Sequence, residues 1–269
     1  MQYCVKLYGM KVINLSSGSD GNLTYIETEN SRILVDMGIS CKDAESRLSL
    51  LGVDGRSIDA IIVSHEHVDH IKGINVFSKK YSVPVYAHDE VWAGLNDKLD
   101  KVKEENKKIF VDSFGIKDLL INPVEVPHDV KCFGYSFVEN DKKISILTDL
   151  GHTNDKIFNV VKGSSLIYLE ANHDLSMLRS CEKYPLTLKM RIAGPNGHLS
   201  NEASAQFIEK LVQTGTKQIV LSHLSKENNS PSFAYEYITN QLAQHGLIEG
   251  ENFKIDVALT RPTTLFKLK

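Results

Sequence analysis

The chain has 269 residues, 42% hydrophobic and 24% charged, with a formal net charge of -3 when histidine is neutral. This is an ordinary globular composition without the strongly basic balance of a dedicated nucleic-acid binder. No apolar run reaches the roughly 20 residues a spanning helix needs, and MQYCVKLYGMKVINL at the start has no basic region followed by an apolar core, so neither a membrane partner nor a signal peptide is expected. Four scattered cysteines, Cys4, Cys41, Cys132 and Cys181, form no CxxC pair; reduced thiols in a cytoplasmic protein are the simplest expectation. The length suits one large α/β domain, taken as residues 1–269.

Lys11 to Leu15 reads as a short strand, followed by the turn-rich loop Ser16–Asn22, which lacks the lysine of a P-loop. Leu23 to Thr28 and Arg32 to Asp36 form a hairpin pattern, and Cys41 to Leu51 a helix closed by Gly52. The apolar run Ile58 to Val63 predicts a buried strand, and an amphipathic segment from His70 to Tyr81 a helix. Val83 to Tyr86 is a strand and His88 to Asn96 a helix, with a charged connection up to Ile109. Strands follow over 119–126, 133–139 and 143–147, then a helix over 154–162 and a strand over 165–169. Helices are expected over 175–182 and 186–192, and from Ser200 or Asn201 to about Val212, where either residue can cap. A strand at 218–221, a helix at 232–245 and strands at 253–259 and 264–267 close the chain. The order, strands and helices and then strands and helices again, predicts two βα halves in a four-layer αββα sandwich.

Between the strand ending at Val63 and the amphipathic segment stands Ser64-His65-Glu66-His67-Val68-Asp69-His70, with three histidines and an aspartate in six positions. Imidazole and carboxylate suit zinc, manganese or iron. His65 and His67 can face one ion, while Asp69 and His70 can turn to a second. The competing reading is a helix start rich in histidine, with Asp69 favoured by the helix dipole. The rest of the chain weighs against it: apolar strands end in Asp36, His65, His128, Asp149, His173 and His223. Any one of these alone reads as an exposed loop residue. Six together point to a site built at strand ends.

HEHVDH, followed in order by His128, Asp149 and His223 after Asp36, resembles the HxHxDH signature and ordered motifs of the metallo-β-lactamase superfamily. The stretches SGSDGN (17–22), EANHD (170–174), GHLSNE (197–202) and HLSKENN (223–229) are similar to the YycJ/WalJ (VicX) family of metal-dependent exonucleases. The resemblance spans nearly the whole chain. It implies a metallo-β-lactamase-type fold, a bacterial cytoplasmic setting with a place in DNA repair, and 5′-to-3′ digestion of DNA. It also implies two divalent metal ions, manganese first and zinc or iron next, and no organic cofactor. His65, His67 and His128 would hold the first ion, and Asp69, His70 and His223 the second. Asp149 would bridge them, and Asp36 would orient a ligand imidazole from below.

Such a pair suits in-line displacement at phosphorus by a metal-bridged hydroxide. Asp69 and Asp149 would serve catalysis through the metals, and His173 or His198 would protonate the leaving 3′ oxygen or grip the phosphate. Ser17, Asn22, His198, Ser225 and Asn228 are candidates for substrate contact. His152 is expected to face solvent, and Glu66 and Val68 not to be ligands. The basic residues Arg179, Lys183, Lys189 and Arg191 form the better candidate for touching a polyanion, since Lys98 to Lys108 are interleaved with acids. The same ligand set also serves small-molecule hydrolases acting on a thioester, lactone or cyclic phosphodiester. A metal-stabilised scaffold without turnover is the weaker reading, given the complete ligand set.

Overall fold

The computed structural model describes residues 4–6 and 9–259, and the chain divides into two compact units at residues 121/122. The first carries a seven-stranded sheet: β1 (Cys4–Lys6), β2 (Lys11–Ser16), β3 (Leu23–Glu27), β4 (Arg32–Val35), β5 (Ala60–Ile62), β6 (Val85–His88) and β7 (Lys107–Phe110), paired in that order. β1 to β4 form an antiparallel meander, and β4 to β7 run parallel. Parallel neighbours need crossover helices. These are α1 (Cys41–Ser49), α2 (Val68–Ile71) with α3 (Ile74–Tyr81), and α4 (Asp89–Leu95). Ile33, Leu34, Ile61 and Ile62 are fully buried, as expected for strands covered on both faces.

The second sheet has the order β14-β13-β12-β11-β10-β9-β8, built from β8 (Phe114–Ile116), β9 (Leu119–Val126), β10 (Cys132–Glu139), β11 (Lys142–Leu147), β12 (Leu166–Glu170), β13 (Gln218–Ser222) and β14 (Lys254–Val257). The unit boundary falls within β9. β10 and β11 pair antiparallel, and β11 to β14 run parallel. The crossovers are α5 (Asp155–Val161), then α6 (Leu175–Ser180), α7 (Leu186–Ile192) and α8 (Asn201–Gln213) in series, and α9 (Pro231–Gln244). Their starts follow capping chemistry: Asn154, Asp174, Ser200 and Ser230 each accept a backbone N–H of the first turn, and Pro231 follows Ser230. Leu147, Leu169, Leu221, Ile208 and Ile238 lie in this unit's core.

Three expectations change. The connection before Ile109 contains β7, a parallel partner of β6; Lys108 and Ile109 are exposed, and an edge strand carrying lysines lacks the apolar alternation that would reveal it. The segment from His70 to Tyr81 is two helices. α2 starts at Val68, which puts Asp69 and His70 in its first turn. The break is at Gly73, whose N–H donates to Met37 O at 2.9 Å and where a Cβ would lie 2.4 Å from Ile39 O. The strand expected over 253–259 spans Lys254–Val257, and the one over 264–267 lies outside the described residues.

Candidate metal and catalytic centre

In the first unit the ligand loop is anchored by Asp36, at the end of β4. One carboxylate oxygen accepts from Ser64 N–H at 2.8 Å, and the other from His70 Nδ1 at 2.7 Å. Ser64 Oγ lies 2.9 Å from Asp36 Oδ2 and 3.0 Å from His65 Nδ1. A hydroxyl has one proton to give, so Ser64 donates to Asp36 and accepts from His65. Both imidazoles then carry their proton on Nδ1, which leaves Nε2 as the lone pair for a metal. His65 and His70 are fully buried. The His65 ring stands 4.6 Å from His67 and 4.1 Å from His70, centroid to centroid. Asp69 Oδ2 is 3.7 Å from His70 Nε2.

Two further segments stitch this loop down. Asp69 O accepts from Asn22 N–H at 2.8 Å, and Asn22 O from Gly38 N–H at 2.8 Å. Gly38 has no room for a side chain, because a Cβ would fall 1.6 Å from Asp69 O. The Asn22 side chain accepts from Gly18 N–H at 2.9 Å, and its Nδ2 lies 2.9 Å from His70 Nε2. Asn22 therefore sits in the loop framework, and Ser17 beside it is buried. Glu66 pairs with Lys98 at 2.7 Å, over Gly94, where a Cβ would lie 1.1 Å from its carboxylate. Val68 is exposed.

In the second unit a residue without a role in the sequence reading is the hub. Glu170, at the end of β12, is fully buried. Its Oε1 lies 2.8 Å from both His198 Nδ1 and His223 Nδ1. Its Oε2 accepts from Leu150 N–H at 2.9 Å and Leu199 N–H at 3.2 Å. Burial alone would raise its pKa, but the two imidazoles and their hydrogen bonds hold it well below the usual carboxylate range. Burial likewise works against charging His198; the Glu170 carboxylate outweighs it and raises that imidazole above its ordinary value, with help from Asp149. Asp149 Oδ1 lies 3.6 Å from His198 Nδ1 and 3.5 Å from His223 Nδ1. Asp149, Glu170, His198 and His223 thus offer ligand atoms within 4.8 Å of one another. His128 Nδ1 is 3.3 Å from Gly197 O, and its pKa is lowered, chiefly by burial.

The other expected residues of this unit take different positions. His173 is buried and makes no side-chain hydrogen bond, and burial depresses its pKa to about 4; it is a neutral imidazole at physiological pH. Ser225 Oγ accepts from Asn228 N–H at 3.3 Å, closing a turn, and the Asn228 side chain is fully buried. His152 is exposed and lies 2.9 Å from Pro195 O through Nδ1.

The donor set, imidazole nitrogens and carboxylates with Nδ1 of His65, His70 and His223 each held by a protein oxygen, suits divalent metal binding. Among the described residues no cysteine joins a potential ligand cluster, and no helix is long and apolar enough to cross a membrane.

Comparison with known proteins agrees with these features. The family described as Beta-lactamase superfamily domain matches residues 31–224. Exodeoxyribonuclease WalJ of Streptococcus pneumoniae is 39% identical over 254 residues, which is 92% of this chain and 93% of the relative. Exodeoxyribonuclease YycJ of Bacillus anthracis is 35% identical over 252 residues, 92% of this chain and 94% of the relative. Among solved structures, the metallo-β-lactamase fold protein YhfI of Bacillus subtilis aligns with a TM-score of 0.69 at 16% identity, covering 94% of this chain and 98% of that one. Zn²⁺-bound PqqB of Methylobacterium extorquens gives 0.68 at 13% identity, covering 93% and 98%. The chain has the metallo-β-lactamase fold and belongs to the β-lactamase superfamily and, within it, to the WalJ/YycJ family of exodeoxyribonucleases.

Proposed function

We propose that this chain is a 5′-to-3′ exodeoxyribonuclease that uses two divalent metal ions, manganese in preference to zinc or iron, and that its two units act as one domain. The observation that carries this reading is the Nδ1 anchoring of the candidate ligands, His65, His70 and His223, in a chain 39% identical to a curated exodeoxyribonuclease over most of both lengths. His65, His67 and His128 would hold one ion, Asp69, His70 and His223 the other, and Asp149 would be a ligand common to both. The ions supply Lewis-acid activation of the scissile phosphodiester and of the attacking water. Scattered cysteines and the relatives' activity favour a cytoplasmic setting and a role in DNA repair.

The chain's own groups do the rest. Asp36 and Glu170 fix imidazole orientation from beneath. His198, held at Nδ1 by Glu170 and only half-buried, presents Nε2 for proton transfer to the leaving 3′ oxygen. His173, buried and neutral, is the weaker candidate for that proton and keeps a structural place beside the site. Ser17, Asn22 and Ser225 shape the loops around the substrate and contact it through water or backbone; Asn228, expected as a further contact, is fully buried and supports its turn from within.

The test is release of mononucleotides from 5′-labelled duplex DNA with Mn²⁺, Zn²⁺ or Fe²⁺, alongside metal analysis of the protein. Release from the 5′ end, fastest with Mn²⁺ and two ions per chain, is the expected result. Hydrolysis of a thioester or cyclic dinucleotide with intact DNA overturns it. His198→Ala should slow an ordinary phosphodiester about 10²-fold. A substrate with sulfur in place of the leaving 3′ oxygen, which needs no proton, should recover most of that loss.

A further inference from the structure

None of the seven residues of α7 is buried. Leu186 and Met190, one turn apart on the same side, are 72% and 66% exposed. Two large apolar side chains standing together in solvent mark a contact surface more often than chance exposure. The setting is cationic. Residues 175–197 carry Arg179, Lys183, Lys189 and Arg191 against Glu182 alone, four positive charges minus one negative, or net +3. Their present partners are exchangeable. Lys183 lies 2.5 Å from Glu227 and Arg191 3.7 Å from Asp129, with both cations largely exposed, and Lys189 donates to Arg179 O at 2.8 Å. Exposed pairs of this kind contribute little and give way to a phosphate.

The helix is also tied to the catalytic loop. His198 N–H donates to Ile192 O at 2.9 Å. Gly197 packs so tightly there that a Cβ would lie 2.2 Å from the carbonyl oxygens of both Arg191 and Ile192. A ligand gripped by α7 is thereby held beside His198. A second copy of this chain is a poor occupant, because a two-fold contact through Leu186 and Met190 would bring the same cations against each other. A polyanion with apolar faces is a good one.

Resting on the nuclease reading, the geometry points to α7 as the element that takes the end of the DNA duplex. Leu186 and Met190 bear on the terminal base and open its stack, as apolar wedges do elsewhere in DNA recognition. Arg179, Lys183, Lys189 and Arg191 hold the flanking phosphates. Splitting the end base pair in this way presents one strand to the site.

The experiment compares wild type with Leu186→Ser/Met190→Ser and with Lys189→Glu/Arg191→Glu. The substrates are blunt duplex DNA, a single strand of the same sequence and bis(p-nitrophenyl) phosphate, all with Mn²⁺. The apolar double variant should lower the duplex-to-single-strand rate ratio about tenfold. The charge-reversal variant should lower the ratio of either DNA to the small diester about tenfold and flatten the log–log salt dependence of KM for DNA by roughly two. Unchanged ratios in both variants overturn the proposal. So does a dimer that dissociates in the apolar variant while DNA kinetics stay unchanged. A wild-type protein that hydrolyses the diester and no DNA overturns the nuclease reading instead.

Discussion

Asp36, Asp149 and His223 hold φ of 58°, 58° and 55°, a left-handed conformation that costs a non-glycine residue about 1–3 kcal/mol unless the surroundings impose it. Each stands where a strand stops, so the backbone turns sharply and the side chain is aimed at its cluster. Asparagine tolerates this conformation, so Asp149→Asn should keep the wild-type melting temperature when both proteins are compared in EDTA, yet lose activity in metal by at least about a hundredfold. A turnover assay beside circular dichroism reads both, and unchanged turnover sinks the shared-ligand role. The sequence made these positions visible as polar residues at the ends of apolar runs. It could not show Glu170 in the same light, because its role depends on β11 and β13 lying on either side of β12, a non-local pairing. Ser64 was hidden for a similar reason: its relay exists only once β4 brings Asp36 alongside β5. His173 offers a second test. Its pKa is about 4 when folded, below the ordinary 6.5, chiefly through burial. The unfolded chain therefore binds the extra proton first, and stability falls as pH drops from about 6.5 through 4. His173→Asn should remove on the order of 3 kcal/mol of that acid-dependent loss. Urea unfolding at pH 7 and pH 4 checks it, and equal slopes in the two proteins argue against a buried neutral imidazole.

Among the elements, the β3–β4 hairpin is fastened within its own unit by Asp118. Its carboxylate accepts from Thr28 Oγ1 at 2.7 Å, from Asn30 N–H at 3.1 Å and from the Ser31 hydroxyl. Burial would raise its pKa, but these donors, Ser31 first, lower it to about 2. A depressed carboxylate contributes stability above its unfolded pKa near 4 and loses it as pH falls toward 2. Asp118→Ala should cost roughly 1–2 kcal/mol at pH 7 and less at pH 2, because a mostly exposed group is screened and its hydrogen bonds are modest. Denaturant midpoints at the two pH values measure this. Elements with strong periodicity or caps, such as α8 and α9, were legible from the sequence. β7 was not, since its lysines serve the edge and not the core. The break between α2 and α3 was not either, since Gly73 is dictated by the approach of Met37 and Ile39 from another segment.

Across the whole molecule the same plan occurs twice: antiparallel strands, then parallel strands with crossover helices, and polar residues gathered at the ends of the parallel strands. Ligands at strand ends are held by rigid backbone, as in other α/β sites. This doubling was the coarse symmetry visible in the order of elements. The loop's spacing already divided His65 and His67 from Asp69 and His70, but the assignment of His128, Asp149 and His223 to the two ions came from the family resemblance, because neither periodicity nor spacing carries it. If both units supply ligands to the same ions, metal binding must couple their unfolding. Each ion at a hundred times its dissociation constant adds about 2.7 kcal/mol to the folded state, so chelation should lower the melting temperature by several degrees. Calorimetry with saturating Mn²⁺ should show one transition, and with EDTA a lower one that broadens or splits. His223→Ala, in the second unit, should then reduce the metal-induced gain for the first unit's transition as well. If Mn²⁺ shifts only one unit's transition, or His223→Ala leaves the first unit's gain intact, the ions are not shared between the two ligand sets.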